Sequence, residues 1–171
     1  MLEIAQLGHP VLRKIAEPVA EIDENIQQLI DDLFATSEAA NGAGIAAPQV
    51  NVSSRVFILT IKPSPRYPDA PEVEPTAVIN PEILWVSDNT VKDWEGCLSV
   101  PGIRGKVPRP DAIRVRYQTR KGDTMEREFA GFAARVFLHE HDHLEGLTWL
   151  DHVEDNRDIV SEQEFMRALL D

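Results

Sequence analysis

Between residues 22 and 38 the apolar side chains Ile26, Leu29, Ile30, Leu33 and Phe34 fall at i, i+3, i+4, i+7 and i+8. This period lines one face of a helix suited to packing on a sheet, and Asp23 stands where its N-cap belongs. A glycine- and alanine-rich stretch, "NGAGIAAPQ" at 41–49, reads as a turn; "RVFILTI" at 55–61 then predicts a buried strand from its β-branched and aromatic content. Five prolines in "KPSPRYPDAPEVEP" at 62–75 exclude a helix or a central strand there. Both flanks read as core, so this is a surface loop within one domain and not a linker between two. Further strands are predicted at 77–85, 112–118 and 124–129, with "RKGD" at 120–123 turning the last pair. From 131 to 145 the period becomes helical again, through Phe132, Val136, Leu138 and His139, and Gly146 supplies a stop. A short last helix at 161–170 opens on the capping sequence Ser161-x-x-Glu164. No repeat or low-complexity tract interrupts the chain.

At 171 residues, 43% of them hydrophobic, the chain is long enough for one sizeable core, and a single domain over 1–171 is expected. Cys97 is the only cysteine, which rules out an intramolecular disulfide and suits a reducing cytosol. The start of the chain carries no basic-then-apolar leader, and nowhere do 18 apolar residues run together. A soluble, cytoplasmic protein with no membrane partner is therefore expected. A formal charge of -12 argues against attraction to phosphate backbones, so nucleic acid is not an expected partner either.

Candidate chemistry concentrates in "FLHEHDHLEG" at 137–146. The HExxH pattern of His139, Glu140 and His143 puts two imidazoles one helical turn apart on one face, with a carboxylate rotated by about 100° beside them. Such a pair can hold one metal ion while Glu140 acts on a water as general base. His141 falls on the opposite face and is expected in solvent without a role. Asp142 is placed to orient a ligand or to pair with an arginine. Two histidines leave a catalytic site one protein ligand short. The HExxHxxGxxH pattern finds Gly146 in place but Trp149 where its third histidine belongs, and so it fails. Glu162 and Glu164 lie about twenty residues downstream, as in another protease group, though on a polar terminal helix. Cys97, within "WEGCLSVPG", offers a thiolate suited to ferrous iron or zinc. Spacing alone leaves the choice between these last two open.

Three stretches, "GAGIAAPQ" at 42–49, "EGCLS" at 95–99 and "HEHDH" at 139–143, are similar in order and spacing to the signature motifs of peptide deformylases. "HPVLRKIAEPV" near the start and "VPRPDAIRVRY" after the second motif extend the resemblance over nearly the whole chain. It implies that Cys97, His139 and His143 are metal ligands, with water as the fourth and Glu140 as the acid-base residue. It implies further that the Gln49 side chain and the Leu98 backbone N–H donate to the reacting oxygen, and that Gly44 and Gly96 lie against the substrate. Phe132, Val136 and the aliphatic stem of Arg135 form the implied methionine pocket. Arg104 is an implied contact for a peptide carboxylate or carbonyl, and Arg109 an implied partner of Asp142. The residue types suit these roles. Glycines at 42 and 44 let an extended peptide approach the main chain, and a neutral amide donates to a developing oxyanion without adding charge.

The implied fold is α+β, with antiparallel or mixed sheets around a central helix that carries HExxH. The implied activity is hydrolytic removal of the formyl group from the initiator methionine of nascent polypeptides, releasing formate. It would use one divalent ion, iron first, with zinc, nickel or cobalt compatible with the same donors. Leu138, His141 and Trp94 depart from residues common in the family and bear on rate and substrate preference. Some relatives dock on the ribosome through a basic terminal helix; here the tail after Leu150 is short and mostly acidic, so ribosome docking is not expected. Two rivals stand beside this reading. One is a metalloprotease with a glutamate ligand, and the other a non-catalytic paralogue that binds peptide N-termini around a structural metal.

Overall fold

The structure, a computed structural model, describes residues 2–171. Helix α1 (Glu24–Ala39) precedes strands β1 (Gly44–Ala46), β2 (Val56–Leu59) and β3 (Thr76–Val86). A long hairpin of β4 (Thr90–Cys97) and β5 (Val100–Pro110) comes next, then β6 (Ala112–Gln118), β7 (Thr124–Ala130), α2 (Gly131–Leu144), β8 (Ile159–Ser161) and α3 (Glu162–Leu170). Five strands form one sheet in the order β1-β2-β3-β6-β7, and three form another in the order β4-β5-β8. Every ladder among the described residues is antiparallel, and α2 lies between the two sheets as the expected α+β architecture requires.

Strand β2 shows why a short, unbroken apolar run becomes a central strand. Val56 and Ile58 pack toward α1 with Leu29, Ile30 and Leu33, whereas Phe57 and Leu59 pack toward α2 with Val78 and Phe137. Both faces are covered, so no polar alternation remains. Strand β6 has one covered face and alternates: Ile113, Val115 and Tyr117 are buried, and Arg114 and Arg116 are exposed. Asp23 caps α1 by accepting from Ile26 N at 3.0 Å, and Ser161 caps α3 by accepting from Glu164 N at 3.2 Å. Helix α2 stops at Leu144, and Gly146 takes φ +73° two residues on. No helix among the described residues is long and apolar enough to cross a membrane.

Two expectations need correction. The stretch at 41–49 is more than a turn: Gly44, Ile45 and Ala46 pair with Leu59, Ile58 and Phe57, and one turn of 3-10 helix follows at Ala47–Val50. Three residues are too few to show a period. The β4–β5 hairpin was not predicted, because "TVKDWEGC" is exposed over its first half and carries no strong apolar alternation, while "VPGIRGKVPRP" holds three prolines. Those prolines are tolerated because β8 pairs only with Ile103, Arg104 and Gly105, so beyond that stretch the outer edge of β5 has no partner needing a donor.

Candidate metal centre

Cys97 ends β4, and its pairing with Val100 makes Leu98 and Ser99 a two-residue turn. The N-terminal segment pins that turn: Leu7 N donates to Ser99 O at 2.8 Å, and Ala5 N to Gln49 O at 2.7 Å. From the other side α2 presents His139 and His143, whose ring centroids are 5.3 Å apart. Cys97 Sγ lies 3.4 Å from His143 Nε2, and one ligating atom from each of Cys97, His139 and His143 lies within 4.8 Å of the others. The structure thus brings together a sulfur and two imidazoles separated by more than forty residues of chain.

A charged chain fixes His139. Its Nδ1 lies 2.8 Å from Glu95 Oε1, which turns Nε2 toward Cys97. Glu95 accepts a bidentate pair from Arg109, Nε at 2.8 Å and Nη2 at 2.9 Å, and a further bond from Arg135 Nη1 at 2.9 Å. Arg109 Nη1 continues to Asp142 Oδ2 at 2.7 Å, and His152 Nε2 stands 2.9 Å from the same oxygen. The expected partnership of Arg109 with Asp142 is present. Burial works against ionising Glu95, but the bonds and charge of Arg109 and His139 outweigh it and hold the carboxyl below the usual carboxylate range. Burial likewise pushes the Cys97 thiol up, yet His143 and His139 bring it well below its ordinary value. Burial opposes charge on His139 too, and Cys97 and Glu95 raise its pKa in spite of that. The cluster favours positive charge at its centre, and a thiolate is the form of cysteine that ligates metals.

Glu140 is buried on the same helix, and its Oε2 has no hydrogen-bond partner among the described residues. Burial pushes its pKa up to about 7, against the pull of His139 and His143. Its position depends on Gly44: a Cβ there would lie 2.8 Å from Ile58 O and 3.2 Å from Glu140 Oε1. Gln49 is buried, with Oε1 accepting from Ala46 N at 2.9 Å. That bond directs Nε2 toward Ser99 Oγ at 3.0 Å and Cys97 Sγ at 3.5 Å, beside the centre.

A cleft of about 850 Å³ opens at these residues, walled also by Gly44, Gly96, Leu98, Phe132, Arg135 and Val136. The Arg135 stem lines it, while the guanidinium turns away to Glu95 and to the carbonyls of Val91 at 2.7 Å and Val107 at 2.9 Å. Arg104 lines the cleft but is already bonded to Glu162 and Tyr67. Glu162 and Glu164 take no part in the metal-ligating cluster; they pair with Arg66 and Arg104, and with Arg167, respectively. His141 does not stand out in solvent as expected. It is half-buried, and that burial lowers its pKa. Sequence reasoning missed Glu95, Ser99, Tyr67 and His152. Glu95 alone carried a signal, a carboxylate two residues from the only cysteine.

A sequence profile of the family described as Polypeptide deformylase matches residues 1–158. The chain is 54% identical to "Peptide deformylase 2" of Nostoc sp. over 170 residues, 99% of this chain and 95% of that protein. It superimposes on the Met-Ala-Ser-bound class I type b peptide deformylase of Acinetobacter baumannii with a TM-score of 0.88 at 44% identity, covering 90% of this chain and 98% of that one. The peptide deformylase of Thermotoga maritima gives a TM-score of 0.81 at 41% identity, over 91% and 99% of the two chains.

Proposed function

The chain belongs to the polypeptide deformylase family and is an enzyme, and on that premise we propose that it removes the formyl group from the initiator methionine of nascent polypeptides, using Cys97, His139 and His143 to hold one divalent ion. The observation that carries the reading is the convergence of those three donors beside a buried, unpartnered carboxylate oxygen of Glu140. The residues fit a metal: a sulfur and two nitrogens meet, and Glu95 orients one of the imidazoles from behind. One thiolate with two imidazoles suits ferrous iron first, with zinc, nickel and cobalt compatible. When bound, such an ion supplies Lewis acidity toward the formyl carbonyl and lowers the pKa of water.

Glu140 moves the protons. Its Oε2 accepts the proton that water gives up as the water oxygen adds to the formyl carbon. The same carboxyl returns that proton to the nitrogen as the C–N bond breaks, leaving formate and a free amine. Burial raises its pKa and a cation at the neighbouring donors lowers it again, so the carboxylate that accepts the first proton is available near neutrality. Gln49 Nε2 and the Leu98 backbone N–H stabilise the charge that develops on the carbonyl oxygen. Phe132, Val136 and the stem of Arg135 receive the methionine side chain, and Gly44 and Gly96 leave room for an extended peptide backbone. The reading treats the whole chain as one catalytic domain, and a lone cysteine together with nascent-polypeptide substrates supports a cytoplasmic setting.

Formate release from N-formyl-methionyl peptides by anaerobically prepared protein, compared with the Glu140→Ala variant, tests the reading. Release that vanishes in the variant supports it. No release by the parent enzyme, or equal release by both, refutes it.

A further inference from the structure

Helix α1 passes into β1 through a tight reversal: Asn41 takes φ +54°, and Gly42 follows at the wall of the cleft. Gly42 is held from two elements. Its N–H donates to Ser37 O, near the end of α1, at 2.9 Å, and its carbonyl accepts from the hydroxyl of Thr60, just beyond β2, at 2.8 Å. Thr60 N also donates to Ala43 O at 2.8 Å. Ser37 is fully buried, and its hydroxyl lies 3.0 Å from Thr60 Oγ1 and 3.3 Å from Gly42 O. Each hydroxyl has one proton. Thr60 commits its proton to Gly42 O, so the Ser37 proton goes to Thr60 Oγ1, and donation runs from Ser37 to Thr60 to Gly42 O. Each bond in such a chain polarises the next. The fit around Gly42 is close as well: a Cβ there would lie 3.2 Å from Ser37 Oγ and 3.3 Å from Leu98 Cδ1.

The hydroxyl chain fixes an edge. Strand β1 is the outer strand of its sheet, paired with β2 alone, and Gly42, Ala43 and Gly44 line the cleft. An unpaired strand edge offers its backbone groups to an extended peptide. We propose that Ser37 and Thr60 are positioning residues for peptide binding: their hydroxyls pin the Gly42 carbonyl toward the protein and so hold the 42–44 edge where an extended formyl-methionyl peptide meets it. The proposal rests on the deformylase reading and names the side chains that prepare the edge for that substrate. Without the Thr60 hydroxyl, Gly42 O keeps only the longer contact to Ser37, and the carbonyl is free to turn toward solvent in the cleft. An edge ordered in advance does not have to be ordered by the peptide, which strengthens binding without any new contact. Neither hydroxyl bonds to a reacting atom, so the benefit is the same for substrate and transition state, and it falls on KM and not on kcat.

The test measures kcat and KM of the metal-loaded enzyme for N-formyl-Met-Ala-Ser and, by calorimetry, the Kd of the deformylated peptide Met-Ala-Ser. Thr60→Val keeps the branched shape and removes the hydroxyl. It raises KM and Kd about fivefold, the worth of one lost hydrogen bond, and leaves kcat within about twofold of the parent. Thr60→Ser returns all three to the parent values. Ser37→Ala leaves Thr60 its bond to Gly42 and raises KM and Kd less, about twofold. A merely structural role for the pair would lower the folded fraction, cutting kcat and the calorimetric stoichiometry while KM and Kd stay put, and that result overturns the proposal. A fall in kcat alone overturns it too. Should Thr60→Val fail to fold, Ser37→Ala decides: parent values of KM and Kd in that variant overturn the proposal. No formate release by the parent enzyme overturns the deformylase reading and this proposal together, whereas release with KM and Kd unmoved in folded Thr60→Val removes only the role of the two hydroxyls.

Discussion

The two sides of α2 are both buried and yet built from different physics. Toward the five-stranded sheet the helix presents Ala133, Ala134, Phe137 and Leu144, and Phe137 meets Phe57 edge-on at 5.0 Å and Phe129 at 5.3 Å. Toward β4 and β5 it presents Arg135, His139 and Asp142 at i, i+4 and i+7, each bonded into the chain through Glu95 and Arg109. One side is filled by volume and the other is satisfied by directed bonds. The apolar side sets where the helix lies. The polar side sets which way a ligand points, and it costs more to disturb because each charge depends on its partner.

The largest effect expected falls on the chemistry that sits between these sides. Replacing Glu140 with alanine should lower formate release by about 10²- to 10⁴-fold, the usual worth of a positioned acid-base group, while metal analysis finds the ion still bound. Next comes a matched pair that sharpens the comparison. Phe137→Ala and Arg109→Ala should each cost about 3–5 kcal/mol in denaturant unfolding, the first through a cavity and the second through an unpaired buried Glu95. Only Arg109→Ala should also weaken metal affinity, by about 10- to 100-fold, because it loosens the residue that orients His139. Equal metal loss in both variants would erase the distinction between the sides.

A smaller effect concerns pH. The base form of Glu140 is the reactive one, so kcat/KM should fall as pH drops through its pKa. Burial places that pKa at about 7, and a cation at the neighbouring donors favours the carboxylate and moves it lower. A pH–rate profile should therefore show its acid limb at or below neutrality; a limb above pH of about 8 would remove Glu140 as the base. Smallest of all, Asp23→Ala should cost about 1 kcal/mol through the lost α1 cap, with metal content and rate unchanged.

What the sequence revealed follows the same division. The apolar side of the molecule was legible in local sequence: α1 and α2 emerged from a helical period, and β2 and β6 from short β-branched and aromatic runs, within about two residues of their observed ends. HExxH was legible for the same reason, since helical geometry ties His139 to His143. The third donor was not. Cys97 reaches the centre through β4 and β5, a hairpin with an exposed first strand and a second interrupted by Pro101, Pro108 and Pro110, and only motif resemblance singled it out. The Glu95–Arg109–Asp142 chain joins residues up to 47 positions apart, which no local pattern records. The half-burial of His141 was likewise invisible, since helical spacing places a residue on a face without saying how far that face is covered.

X-ray absorption at the metal edge of the anaerobically prepared enzyme distinguishes a ligand set that includes Cys97 from one of nitrogen and oxygen alone. A zinc-loaded sample should show one sulfur scatterer at about 2.3 Å and two imidazole nitrogens at about 2.0–2.1 Å, with the sulfur lost in Cys97→Ser. A spectrum of nitrogen and oxygen donors alone in the parent protein, unchanged by Cys97→Ser, would contradict that ligand set.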